Sequence, residues 1–241
     1  MAYGLRVKNS SGELQIDSTY RNLAYAEGAS GAVITNSYIP GNGGYSTLIS
    51  IASNLLIPLI LIRPNTNRFV TIENYQRNGS NNYTGFKVIT ELNQSTTIDW
   101  RCYRETSSNP SGYGLRVKDS SGNMIFSSLL NYFKIYSVST ITLNPPSRTW
   151  PGYEIRPYQD ISHAGISNPY YILTPVGDYI VSEPGDIYGT FWRFMYCKIG
   201  IKKLSSTSVR VGWFHFTDDA IEDYVPEEGW NPTVKLIVCQ I

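Results

Sequence analysis

Residues Tyr3–Gly12 read YGLRVKNSSG and residues Tyr113–Gly122 read YGLRVKDSSG, nine identities in ten positions at a separation of 110. A match of this quality within one chain marks an internal duplication, and a duplication governs every later reading of the fold. In GLRVK the apolar Leu5 and Val7 alternate with Arg6 and Lys8, the period of a half-buried strand. Asn9-Ser10-Ser11-Gly12 and Asp119-Ser120-Ser121-Gly122 then set an Asx residue at the first turn position, where its side chain bonds the backbone. Each ends on a glycine, which accepts positive φ. The chain resumes with Leu14 and Ile16, or with Met124, Ile125 and Phe126, so each copy is expected to open with a β-hairpin.

Weaker matches follow at a separation of 111: ILIRP from Ile60 with YILTP from Tyr171, YTGFKV from Tyr83 with FMYCKI from Phe194, and STTID from Ser95 with STSVR from Ser206. They predict two units, 1–110 and 111–241, with a boundary near Pro110 to Gly112 and a C-terminal acidic extension on the second. Short strand-like runs recur between turn clusters, at Phe69–Glu73, Phe86–Thr90, Ile98–Tyr103, Ile199–Lys203, Val209–Phe216 and Val234–Cys239. PGNGGYS, RPNTN, RNGSNN, NPPS and PVGD are such clusters, and the spacing predicts an all-β protein of two tandem antiparallel β-sandwich-like units. The apolar stretch Thr47–Ile62 holds Ser50, Ser53, Asn54 and Pro58 and is too short to span a bilayer, so it reads as buried strand. One or two helical turns are expected from Asp219, where Glu222 completes a capping-box pattern before Pro226.

Composition removes several classes of function. With 20 basic against 19 acidic residues and no Lys/Arg run, the chain lacks the footprint that phosphate backbones require, so nucleic acid is not an expected partner. MAYGLRVKNSSGE has no apolar core after its basic residues and does not read as a secretory signal, and no membrane insertion is expected. Cys102, Cys197 and Cys239 are odd in number and lack CxxC spacing, which predicts free, buried thiols rather than a disulfide framework or a zinc site. His163 and His215 have no second ligand at helical or hairpin spacing, and His215 in GWFHF reads as structural. Gly41–Gly44 lacks the lysine of a phosphate-binding loop and reads as a turn. Asp218, Asp219, Glu222, Asp223, Glu227 and Glu228 fit no calcium-loop spacing and read as a solvated face. No catalytic, cofactor-binding or metal-binding residue is assigned, and no cofactor or enzymatic activity is expected.

Tyrosine alone contributes 19 residues, and Trp150, Tyr153, Tyr158, Tyr170, Tyr171, Tyr179 and Tyr188 crowd the second unit. Such rings serve either packing or a contact surface for sugar or protein. The opening YGLRVKNSSGELQIDSTYRN resembles the start of a group of small tailed-bacteriophage virion proteins. They begin with a Gly-Leu-x-Val strand, an Asx-x-x-Gly turn and an apolar strand ending in Asp-Ser or Asp-Thr. Gly4, Leu5, Val7, Asn9, Gly12, Ile16, Asp17 and Ser18 fill that pattern, whereas in the second copy Ser127 replaces the Asp. The resemblance implies a structural virion protein at the tail tip or beside the tail fibre. Such a protein is assembled in the host cytoplasm with other phage tail proteins, as a homo-oligomer forming a trimer or ring. The alternative reading is a receptor-binding or carbohydrate-recognition module for host attachment, contacting bacterial surface glycan through Trp150–Tyr188. A glycan hydrolase is disfavoured because no carboxylate pair stands out.

Overall fold

The computed structural model describes residues 6–8, 14–17, 23–34, 36–37, 44–92, 95–105, 110–119, 121–149, 154–174, 179–184, 192–221 and 232–241. Among them there is no helix, and hence none long and apolar enough to cross a membrane. The first unit supplies β1 (Arg6–Lys8), β2 (Leu14–Asp17), β3 (Leu23–Ile34), β4 (Asn36–Ser37), β5 (Gly44–Asn54), β6 (Leu59–Pro64), β7 (Val70–Arg77), β8 (Tyr83–Leu92) and β9 (Thr96–Glu105). The second supplies β10 (Arg116–Lys118), β11 (Met124–Ser127), β12 (Lys134–Thr142), β13 (Ser147–Thr149), β14 (Glu154–Arg156), β15 (Tyr158–Ser162), β16 (Tyr170–Leu173), β17 (Tyr179–Pro184), β18 (Trp192–Ser205), β19 (Ser208–Ile221) and β20 (Thr233–Gln240).

The repeated decapeptides form matching hairpins. Arg6, Val7 and Lys8 stand opposite Asp17, Ile16 and Leu14, while Arg116, Val117 and Lys118 stand opposite Ser127, Phe126 and Met124. Both registers slip at the same place, after the valine. In the second copy the turn chemistry is that anticipated: Asp119 Oδ1 accepts the N–H groups of Ser121 at 2.9 Å and Asn123 at 2.8 Å, and Gly122 has φ 84°. The corresponding Asn9–Gly12 turn lies outside the described residues.

Apart from the small hairpin of β13 and β14, the remaining strands build two antiparallel sheets packed face to face. One runs β12-β20-β16-β6-β9-β3 and the other β15-β19-β18-β7-β8-β5-β4, with β17 also on β18. Chain order assigns β3, β6 and β9 to the first sheet and β5, β7 and β8 to the second. In the second unit β12, β16 and β20 go to the first sheet and β15, β18 and β19 to the other, in the same alternation. With β4 and β17 set aside as additions to the second sheet, each unit is three strands on three, and the units join edge to edge at β6–β16 and β7–β18, through Ile62 opposite Tyr171 and Val70 opposite Ile201. Read outward from that junction, the strand orders on the two sides mirror one another.

Burial explains the arrangement. In β6, Ile60 and Ile62 enter the core between the sheets, where Phe86, Val88, Trp100, Ile201, Val211, Trp213, Leu236 and Val238 meet in one cluster drawn from both units. Phe86 and Trp100 bridge the sheets edge to face at 5.4 Å. Leu61 points the other way, into a smaller cluster with Tyr103, Tyr170 and Cys239 against which Phe133 packs. Apolar side chains on both faces account for the unbroken LILI run.

Several expectations need correction. Thr47–Ile62 is not one buried strand: β5 stops at Asn54, and Leu55, Leu56 and Ile57 are 70%, 47% and 59% exposed on the connection to β6. No helix begins at Asp219, which sits in β19 opposite Phe194; residues 222–231 lie outside the described ones. Of the matches at 111, only ILIRP with YILTP relates equivalent strands, and it extends back to Pro58 and Pro169. YTGFKV lies in β8, whose counterpart is β19, while FMYCKI lies in β18. STTID and STSVR fall on β9 and β19, which belong to different sheets. The cause is length. The second unit inserts β17 between β16 and β18, whereas five residues separate β6 from β7, so a constant offset fails beyond β16.

Candidate functional site

The residues singled out in the sequence serve packing where they are described. Cys102, Cys197 and Cys239 are free and buried, and burial pushes the thiols of Cys102 and Cys239 up to about 11 and about 12. His163 is buried, with Nδ1 3.3 Å from the carbonyl of Ile166 and Nε2 2.7 Å from the Tyr171 hydroxyl. A carbonyl only accepts, so in the neutral ring Nδ1 carries the hydrogen and the tyrosine donates to Nε2. His215 is half-buried in β19. Of the aromatic segment, Tyr170 and Tyr171 are buried, and Tyr158 is half-buried with the Arg210 guanidinium 3.5 Å above its ring. Arg210 also grips the Asp160 carboxylate, holding it below the ordinary carboxylate range. These three rings pack. The side chains of Trp150, Tyr153, Tyr179 and Tyr188 lie outside the described ones. Asp218 and Asp219 occupy β19, and Gly44 opens β5. Among the described residues no group of His, Cys, Asp and Glu could hold a metal ion.

A different constellation forms where the units meet. Arg63 near the end of β6 stands directly opposite Asp99 on β9. Asp99 is buried and accepts hydrogen bonds from Arg63 Nε at 3.1 Å, from Arg63 Nη2, from Asn65 Nδ2 at 2.8 Å and from the Gly31 N–H at 2.8 Å. Gly31, with φ 70°, lies within the bulge between Ala29 and Ala32 of β3, so its N–H is released from the ladder. Burial alone raises the Asp99 pKa. The bonds from Asn65, Arg63 and Gly31 outweigh it and hold the carboxyl below the usual value, as an anion.

Arg63 then crosses to the second unit. Its Nη1 donates to the Asn168 carbonyl at 2.9 Å, and its guanidinium lies 4.7 Å from the centre of the Tyr170 ring, which Arg101 approaches at 5.2 Å. Asn168 has φ 50° in the connection between β15 and β16, and its N–H donates to Ser206 at 2.7 Å. Arg63, Ser167, Asn168, Tyr170 and Gln240 border a cleft of about 280 Å³. The Tyr170 hydroxyl is buried without a hydrogen-bond partner among the described residues. An ionised carboxylate closed in by donors is a poor proton acceptor, so this arrangement holds and hydrogen-bonds rather than transfers protons.

Sequence reasoning passed over this site because RPNTN reads as a turn cluster and Asp99 as one acid among many. The one available signal was Arg63 itself, a charge ending an otherwise apolar strand. Comparison of the chain with protein-family models, with curated proteins and with solved structures finds no match.

Proposed function

We propose that the protein is a structural component of a tailed-bacteriophage virion, at the tail tip or beside the tail fibre, working by lateral association with other tail subunits. The observation that carries this reading is the junction itself. A unit that joins its own copy through the free edges of both sheets is a unit suited to packing against neighbours. The resemblance of the opening hairpin to phage virion proteins supplies the setting. Apolar side chains left in water at Leu55, Leu56 and Ile57, and at Ile135 and Val138 on the edge strand β12, supply surfaces that a neighbour would cover.

The test is location. Mass spectrometry of purified particles is expected to find the chain, and a gold-labelled antibody is expected to mark the tail end distal to the head. Absence from particles that contain every other tail protein overturns the reading.

A further inference from the structure

We propose that the cleft at the β6–β16 junction is a binding site for one neutral sugar unit, held by hydrogen bonds from Arg63, Ser167, Asn168 and Gln240. This goes beyond a packing role, because packing needs the junction closed and not a cleft beside it.

The chemistry of the lining selects the ligand class. Ser167, Asn168 and Gln240 bring a hydroxyl and two primary amides, groups that both donate and accept, as sugar hydroxyls do. Arg63 has five N–H donors, of which three bond to Asp99 and to the Asn168 carbonyl, so two remain to donate to a ligand. Its charge is balanced by Asp99, which removes the pull on an anion that a lone guanidinium would exert. Lys203 approaches the rim, but its ammonium donates to Asn168 Oδ1 at 3.3 Å and does not line the cleft.

Two further observations point to an occupant. Tyr170 is one of the residues that line the cleft, and its buried hydroxyl lacks a partner among the described residues, a state that costs free energy. Asn168 holds a left-handed backbone conformation, uncommon outside glycine, and this conformation sets its carbonyl on Arg63 and its N–H on Ser206. The volume, near the lower end of the small-ligand range of roughly 300 Å³ upward, accommodates a single ring rather than a long oligosaccharide.

The test uses the full chain, labelled with nitrogen-15, and titrations with methyl glycosides of glucose, galactose and N-acetylglucosamine at millimolar concentration. At least one is expected to shift the backbone amides of Ser167, Asn168 and Gln240 and to saturate. Asn168→Gly keeps the positive φ while removing the amide, and Gln240→Ala removes the second. Each is expected to weaken binding roughly tenfold with melting unchanged, since each deletes hydrogen bonds to a polar ligand. Titration with the matching oligosaccharide separates two sources: equal affinity indicates a terminal or free unit, tighter binding a unit within a chain, and either supports the site. No saturable shift with any glycoside, shifts confined to other residues, or binding unchanged in the double variant overturns the proposal. A uronate that binds more tightly than its neutral counterpart also overturns it, because the Arg63 charge would then be acting uncompensated.

Discussion

Asp99 shows how one buried charge is made tolerable, because it has a donor for nearly every lone pair: a guanidinium, an amide and a backbone N–H freed by a bulge. Removing the charge leaves Arg63 facing a neutral amide, so Asp99→Asn is expected to lower stability near neutral pH by about 3 kcal/mol. The pH dependence has a definite sign. The native pKa lies below the ordinary 3.8, so the contribution is present above that value and is lost as pH falls through the lowered native value. Urea midpoints of both proteins, measured down the acid range, should therefore converge; a gap that stays constant with pH contradicts the assignment. Gly122 allows a simpler test. Space is open around it, with nothing within 4 Å of an added Cβ, so Gly122→Val is opposed by the backbone alone, at φ 84°. The expected cost is about 1 kcal/mol or more in thermal unfolding, and an unchanged melting temperature would show that the turn tolerates a β-branched residue.

At the level of elements, what the sequence makes legible is what contacts within a few residues determine. The two hairpins were readable because an Asx turn and a period-2 pattern act locally, and the register and the break after Val7 and Val117 repeat accordingly. β6 and β16 were also readable, since the chain between hairpin and strand differs by only one residue between the units. Beyond them a constant offset pairs β9 with β19 across two different sheets. Sheet membership is a long-range property that a five-residue match does not carry. The exposed Leu55-Leu56-Ile57 was misread for a related reason, since hydropathy alone does not say where a strand turns. The Arg63–Asp99 pair was invisible because its partners come from β3, β6, β9 and the β15–β16 connection, which only the finished fold assembles. The junction permits an experiment on one unit. Residues 1–110 alone leave β6 and β7 as open edges with Ile60, Ile62 and Val70 no longer covered by the second unit. That fragment is expected to dimerise, a second copy taking the place of the second unit. A stable monomer at micromolar concentration would mean that the edges need no partner.

For the molecule as a whole, a net charge of +1 offers little repulsion between copies, and exposed apolar side chains remain on the β5–β6 connection and on β12. The full chain is expected to sediment at micromolar concentration as a trimer or ring. That assembly should persist in about 0.5 M salt, where charges are screened within a few ångströms and apolar contacts are not. A monomer at both salt concentrations counts against the structural reading, and dissociation by salt alone points to charged contacts instead. The mirrored strand order adds a geometric consequence. Beginning from the β6–β16 and β7–β18 junctions, the same sequence of equivalent strands is met in either direction, reaching β3 and β5 on one side and β12 and β15 on the other, with only β4 lying beyond β5. Such an object is a palindrome and carries no arrow. A handshake of that kind closes on itself after two participants. A cyclic ring whose copies all face the same way needs a contact with a head and a tail, so such a ring of this protein must be built through features present in only one unit. The second unit's inserted strand β17 and the first unit's Leu55-Leu56-Ile57, which stands where its counterpart has His163–Asn168, break the palindrome and give the chain a direction.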